Sequence, residues 1–275
     1  MKKTIFVSGA GGFIGFHLAK KFLSEGHLVV GLDNLNDYYD VNLKNNRLKI
    51  LNEFEKFHFY KDDLINKESL LKIFNKYEFD LVVNLAAQAG VRYSLTNPDV
   101  YIDSNINGFI NVLESMKETG ANNLLYASSS SVYGLSDTFP THESQNTNNP
   151  ISLYGGTKKA NEVLAYSYHH LYNMNTIGLR FFTVYGPMGR PDMALFIFTK
   201  KIINNEEIEL FNFGNHSRSF TYIDDIVNSI DLLSQKDYFS STKSVSKIFN
   251  IGGHESINLK DFVKVIEKLL IKKLK

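Results

Sequence analysis

One local feature constrains this chain more than any other: a strand that runs into glycines and then into a helix. Thr4-Ile5-Phe6-Val7-Ser8 is a short β-rich run, Gly9-Ala10-Gly11-Gly12-Phe13-Ile14-Gly15 follows, and an amphipathic pattern covers 13–25. Glycines at 9, 12 and 15 give G-x-x-G-x-x-G, and Gly9, Gly11 and Gly15 give a second phasing. In such a unit one glycine makes the tight turn. Another lets the backbone approach a pyrophosphate, and a third lets helix and strand pack closely. The pyrophosphate then sits on free N–H groups at the positive end of the helix. The second strand, 28–32, ends at Asp33. A carboxylate there accepts hydrogen bonds from the adenosine ribose and repels a 2′-phosphate, so NAD is expected rather than NADP.

The same alternation continues. β-rich runs at 57–60, 80–85, 123–127 and 176–182 are separated, for the most part, by helical patterns at 66–77, 99–118 and 153–172. The runs are near-continuous in Val, Ile, Leu and Phe, as in strands buried on both faces. Strand–helix–strand repetition predicts an α/β fold with a doubly wound parallel sheet of Rossmann type. Past residue 185 the rhythm breaks into helical patterns at 193–204, 224–235 and 259–272, with short runs at 207–211 and 247–251 and a polar loop at 236–246. The expected division is a dinucleotide-binding domain over 1–183 and a smaller substrate lobe over 184–275.

Composition removes other classes. Thirty Lys and Arg against 29 Asp and Glu leave a net charge of +1, which argues against nucleic acid or a polybasic membrane anchor as partner. With no Cys, disulfides, thiolate zinc sites and iron–sulfur clusters are excluded. No metal is expected, and a reducing, cytoplasmic setting is. The apolar stretches are too short for a membrane span.

At the reacting end, Tyr154-Gly155-Gly156-Thr157-Lys158 puts Tyr154 and Lys158 four apart, on one helix face. A free tyrosine has a pKa near ~10, so a phenol acting as a base needs a neighbouring cation; Lys158 is the expected one. Two glycines inside a helix predict something packed closely there. The fifth strand ends in Ser128-Ser129-Ser130-Ser131, whose hydroxyls can hydrogen-bond a reacting alkoxide or carbonyl. Asp63 and Leu64, and Ala86, Ala87 and Gln88, also fall at strand carboxyl ends, where ligands collect in open α/β sheets.

With these residues in place, the chain resembles the extended short-chain dehydrogenase/reductase family and, within it, the NAD-dependent nucleotide-sugar epimerases, most closely those acting on UDP-glucuronate. The resemblance covers residues 3 to about 265. It is carried by Leu32-Asp33-Asn34-Leu35-Asn36-Asp37-Tyr38-Tyr39, by 84–94, by 179–194 and by Phe220-Thr221-Tyr222-Ile223-Asp224-Asp225. It implies that Tyr154 is the catalytic base, Lys158 its partner, and Ser129 the hydroxyl at the sugar C4 oxygen. It implies that Gly9, Gly12, Phe13, Ile14, Gly15, Asp33, Asn34, Asp63, Leu64, Ala86, Ala87, Gln88 and Asn105 hold NAD, with Tyr154 and Lys158. Arg92, Thr183, Arg190 and Arg218 are implied to line the UDP-sugar pocket, Arg218 at the diphosphate. The implied reaction is 4-epimerisation of a UDP-sugar, UDP-glucuronate to UDP-galacturonate, through a transient 4-keto sugar. A ketone at C4 makes the C6 carboxylate a β-keto acid, so a clamp is expected, from Ser130, Ser131 and Thr183 with Arg190 nearby. Ser130 and Ser131 also stand where a dehydratase needs an acid–base pair, which disfavours 4,6-dehydration. Three other readings stay open: 4-epimerisation of UDP-glucose or UDP-N-acetylglucosamine, an NAD-binding protein without turnover, and a simple reductase. The family usually continues beyond the point equivalent to Lys275, so an incomplete lobe is expected. A homodimer through the helices at 99–118 and 153–172 is also implied.

Overall fold

The computed structural model describes residues 2–273 apart from 137, 211–213, 215, 216, 236, 240–242 and 254. Its larger layer begins β1 (Thr4–Ser8), α1 (Phe13–Ser24), β2 (Leu28–Asp33), α2 (Val41–Leu51), β3 (Phe57–Lys61), α3 (Lys67–Lys76) and β4 (Leu81–Asn84). It continues α4 (Asp99–Ile102), α5 (Gly108–Thr119), β5 (Asn123–Ser129), α6 (Leu153–Tyr172) and β6 (Asn175–Phe181). The remainder is β7 (Thr183–Tyr185), α7 (Ala194–Ile203), β8 (Ser217–Tyr222), α8 (Ile223–Gln235), β9 (Ser246–Ile251), β10 (Ser256–Asn258) and α9 (Leu259–Lys273).

The described strands form a seven-stranded sheet in the order β3-β2-β1-β4-β5-β6-β9, with every pairing parallel. This is the doubly wound Rossmann-type architecture. The chain starts at the centre, winds outward through β2 and β3, then crosses back to β4. That reversal leaves a crevice at the carboxyl ends of β1 and β4, where an open α/β sheet takes its ligand. The sheet is dry on both faces. Ile5, Val7 and Val83 meet Phe16, Leu18 and Phe22 of α1 and Ile226 and Ile230 of α8, while Phe6, Val82 and Leu124 meet α3 and α5.

Three results depart from the sequence pattern. The chain over 41–51 folds as a helix that the spacing of apolar residues does not announce: its buried positions include Lys44 and Arg47 beside Leu48 and Leu51, and Asp40 caps it by accepting from the Asn42 N–H. The 99–118 helix runs without a break in helical backbone, but a π-turn over Asp103–Asn107 lies between α4 and α5, as often happens where a helix serves a site. The run at 207–211 forms no strand over 207–210, and residue 211 lies outside the described residues. The polar segment 236–246 lies partly outside them too.

After residue 183 the chain serves both layers. β9 closes the large sheet beside β6, and α8 packs on its α1 face. The rest gathers in a three-stranded sheet, β10-β8-β7, with α7 and α9 around Phe198, Leu259 and Ile266. The expected boundary at 183/184 is therefore crossed by the return of β9 and α8. No described helix is long and apolar enough to cross a membrane.

Candidate active site

One cleft of about 1200 Å³ runs along the carboxyl ends of β1, β2, β4, β5 and β6 to the three-stranded sheet. That exceeds what a single small ligand usually fills. Every residue the sequence places at a site lines it except Asn105.

The glycine end is shaped by backbone. Gly9 has φ +73°, a conformation costly for any residue with a Cβ. A Cβ on Gly15 would lie 2.0 Å from the Gly9 carbonyl oxygen, so the third glycine is required by the packing of helix on turn. Gly12 starts α1 with no side-chain cap and the first turn carries no acid, so its N–H groups face the cleft uncompensated. Asp33 is buried. Its Oδ2 accepts from the Gly11 N–H (3.0 Å) and its Oδ1 from the Leu35 N–H (2.9 Å). Burial pushes the Asp33 carboxyl up, against the two N–H donors and the Lys44 and Arg47 cations. Asp63 accepts from the Asn34 amide at 2.7 Å, which joins two of the expected cofactor residues. A glycine cradle, an open helix start and a buried carboxylate at the second strand are together a fit for a dinucleotide.

Asn105 corrects the sequence reading. It is 2% exposed, and the π-turn aims it at protein rather than at the cleft. Its Oδ1 accepts from the Gln88 N–H (2.8 Å), and its Nδ2 donates to the Gln88 carbonyl (3.0 Å) and to Thr157 Oγ1 (3.0 Å). It fixes the Ala86–Gln88 wall against α6 instead of touching a ligand.

The other end is shaped by side chains. Ser152 caps α6 by accepting from the Gly155 N–H, and places Tyr154 in the first turn. A Cβ on Gly155 would stand 2.7 Å from the Ser131 carbonyl oxygen, so the close packing expected of the two glycines is real there and comes from this chain's own serine loop. Gly156 has no neighbour within 4 Å of such a Cβ. Farther along α6, Glu162 takes a two-pronged ion pair from Arg180 of β6 (2.8 and 2.9 Å) and a hydrogen bond from Ser128 (2.7 Å). Arg180 holds Glu162 and Ser128 holds it too, so α6 cannot slide along the strands that carry the serines.

Burial pushes the Tyr154 phenol up, while contact with the Ser129 hydroxyl and the field of Arg190 pull it down. Lys158, the cation expected beside the phenol, has its Nζ on the Ala127 carbonyl at 2.9 Å, and burial holds its ammonium down to about 8. Arg190 lies in a nest of tyrosines. Its Nε and Nη2 donate to Asp192 (3.0 and 2.5 Å), and its guanidinium stands 5.9 Å from the Tyr38 ring, whose hydroxyl also donates to Asp192. Tyr101 packs against Tyr154 at 6.3 Å. Ser129 accepts from the Ser131 N–H (3.1 Å), which sets the serine loop beside the phenol. Arg218 reaches the cleft from β8, exposed, with Nη1 on the carbonyl of Ser217. Arg92 and Thr183 line the cleft as expected.

Tyr38, Lys44 and Asp192, which no motif pointed to, also line the cleft, and Tyr101 backs it against Tyr154. Tyr38 and Asp192 stand inside stretches that carried the family resemblance, and that is the signal that could have found them.

Comparison with known proteins follows this geometry. The model of the NAD dependent epimerase/dehydratase family matches residues 5–252. The chain belongs to this family. It is 50% identical over 278 residues to Protein CapI of Staphylococcus aureus, covering 97% of this chain and 83% of that protein. It is 45% identical over 271 residues to the UDP-glucuronate 4-epimerase of Thermodesulfobacterium geofontis, covering 98% and 81%. Among solved structures, the UDP-glucuronic acid 4-epimerase of Bacillus cereus, in complex with UDP-glucuronic acid and NAD, superposes with a TM-score of 0.88 at 32% identity, covering 96% of this chain and 82% of that one. The parallel fold and the use of NAD, expected from strand–helix alternation and the glycine turn, and the family, expected from resemblance, agree with these relatives. The enzyme is an NAD-dependent nucleotide-sugar epimerase by family.

Proposed function

We propose that the protein converts UDP-glucuronate to UDP-galacturonate, with Tyr154 as the base. The observation that carries this reading is the meeting, in one cleft, of an uncapped glycine helix start with a desolvated phenol that feels a serine hydroxyl and a half-buried arginine. The names of the relatives from Thermodesulfobacterium geofontis and Bacillus cereus support it.

The turn through Gly9, Gly12 and Gly15 lets the pyrophosphate of NAD approach the backbone at the start of α1, and Asp33 would accept from the adenosine ribose. Phe13, Ile14, Asn34, Asp63, Leu64, Ala86, Ala87 and Gln88 wall the dinucleotide. When bound, NAD would supply reversible hydride exchange with C4 of the sugar, with no net oxidant consumed. Tyr154 takes the proton from the 4-hydroxyl and gives it back, and Ser129 holds that oxygen as it becomes a ketone. Arg190 and Ser129 lower the energy of the phenolate form. Lys158 binds the nicotinamide ribose. Arg218 and Arg92 meet the diphosphate. Ser130, Ser131 and Thr183, with Arg190, hold the C6 carboxylate where its bond to C5 cannot align with the new ketone, which suppresses loss of CO2. We further propose a cytoplasmic homodimer formed through α5 and α6. Their support is the exposure of Val163, Tyr166 and Leu171 along α6.

The test is incubation of the purified protein with UDP-glucuronate, UDP-glucose and UDP-N-acetylglucosamine in parallel. Conversion of the uronate is expected. Conversion of the neutral sugars alone rejects the proposal.

A further inference from the structure

Arg47 lies in the helix that the apolar pattern does not announce, and it is fully buried. It does not line the cleft. No described carboxylate pairs with it, and its Nε is buried without a hydrogen-bond partner. A buried cation whose hydrogen bonds go only to carbonyls and a hydroxyl, with Asp33 near enough to feel its field but not paired with it, is a poor way to fill a core. Its other donors have specific targets. Nη1 donates to the Gly11 carbonyl (2.8 Å), inside the glycine turn, and to the Tyr39 hydroxyl (2.8 Å). Nη2 donates to the Met188 carbonyl (2.6 Å).

Met188 is the strained residue of a tight turn. Its φ is +52°, unusual for a side chain of that size, and Gly189 N–H closes the turn on the Gly186 carbonyl at 3.2 Å. Pro187 in the same turn has its carbonyl on His17 of α1, at 3.0 Å. Two successive carbonyls are thus held by the two helices that flank the glycine turn, and the next residues out are Gly189 and Arg190. Besides these donors, the turn is held by Met188 packing on the core and by its glycines.

We infer that Arg47 is a positioning residue for substrate charge recognition: it sets the 186–189 turn against the glycine turn and thereby fixes where Arg190 presents its charge, without touching either ligand. The inference rests on the proposed reaction for the identity of the anionic sugar, while its geometry stands on the hydrogen bonds alone.

The experiment uses holoenzyme and calorimetric titration with UDP-glucuronate and UDP-glucose for wild type, Arg47→Met, Arg190→Met and the double variant, with melting temperature recorded for each. Arg47→Met is expected to weaken UDP-glucuronate about 10-fold and UDP-glucose less than about 2-fold. In the Arg190→Met background the same change should weaken UDP-glucuronate less than about 2-fold further, since residues acting through one another are not additive. Arg47→Lys, which can reach one carbonyl, should fall between. Equal weakening of both sugars, an undiminished effect without Arg190, or no effect on either sugar overturns the inference. If Arg47→Met does not fold, Tyr39→Phe decides. It removes only the hydroxyl that receives Nη1, and should weaken UDP-glucuronate alone, by about 3-fold; no change in its affinity counts against the inference. Turnover by the wild type tests the proposed reaction separately, because the titrations read binding whether or not epimerisation occurs.

Discussion

At the glycine end of the cleft, the groups that face a ligand are mostly backbone, brought together by twenty-five residues of continuous chain: Gly9, Gly12, Gly15 and the strand end at Asp33. At the sugar end they are side chains from β5, α6, the 186–193 segment and β8, far apart in sequence and held by Ser152, Glu162, Arg180 and Arg47. The first kind of site is made by steric necessity, so a methyl group in the wrong place destroys it. The second is made by charge and hydrogen bonding, so it fails one interaction at a time. Function needs both, and substitutions should separate them.

The largest effect belongs to the sugar end. Tyr154→Phe should lower kcat by about 10³-fold, the scale of a lost general base, with bound NAD per subunit unchanged; absorbance of the purified protein and a turnover assay read both. Gly15→Ala should do the reverse. Its Cβ cannot coexist with the Gly9 carbonyl oxygen 2.0 Å away, so the protein should purify with little or no NAD and lose about 1–3 kcal/mol of stability to overpacking. NAD retained at the wild-type level in this variant would erase the distinction between the two ends.

Lys158 stands at the seam. Its folded-state value of about 8 is below its ordinary 10.5, so the folded NAD-free protein binds fewer protons than the unfolded chain between those values. Stability of the NAD-free protein should therefore rise as pH increases from 8 to 10.5, and Lys158→Met should flatten that rise. At pH 7 the same variant should be more stable without NAD, by up to about 3 kcal/mol, while losing turnover. Urea melts at several pH values measure this. The smallest effect is at His17, whose burial holds its imidazole below 6.5. Its folded state favours the neutral ring, so stability should fall as pH drops below 6.5. His17→Asn should remove less than about 1 kcal/mol of that pH dependence.

The two ends also differ in how far the sequence discloses them. A turn that needs glycine writes its demand into the letters, and the spacing of Gly9, Gly12, Gly15 and Asp33 led to the dinucleotide, as strand–helix alternation led to the parallel sheet. The sugar end could be named only through resemblance, since Tyr154, Ser129, Arg190 and Arg218 become neighbours only when the sheet is wound. Local spacing does not show what tertiary context adds. Tyr154 and Lys158 share a helix face, and the fold adds the field of Arg190, thirty-six residues beyond Tyr154, which also lowers the phenol. Asn105 sits at a ligand-bearing strand's flank, yet a π-turn spends its amide on Gln88. The helix over 41–51 has no apolar stripe because its inward face includes Lys44 and Arg47, whose targets are a side chain and carbonyls of distant turns.

The most direct test follows the C4 carbon of UDP-glucuronate by NMR with purified protein and no added cofactor. A steady mixture of gluco and galacto configurations, with no NADH and no CO2 released, is the predicted result. An unchanged spectrum from protein that carries NAD, or a product that has lost its carboxylate, would contradict the proposed chemistry.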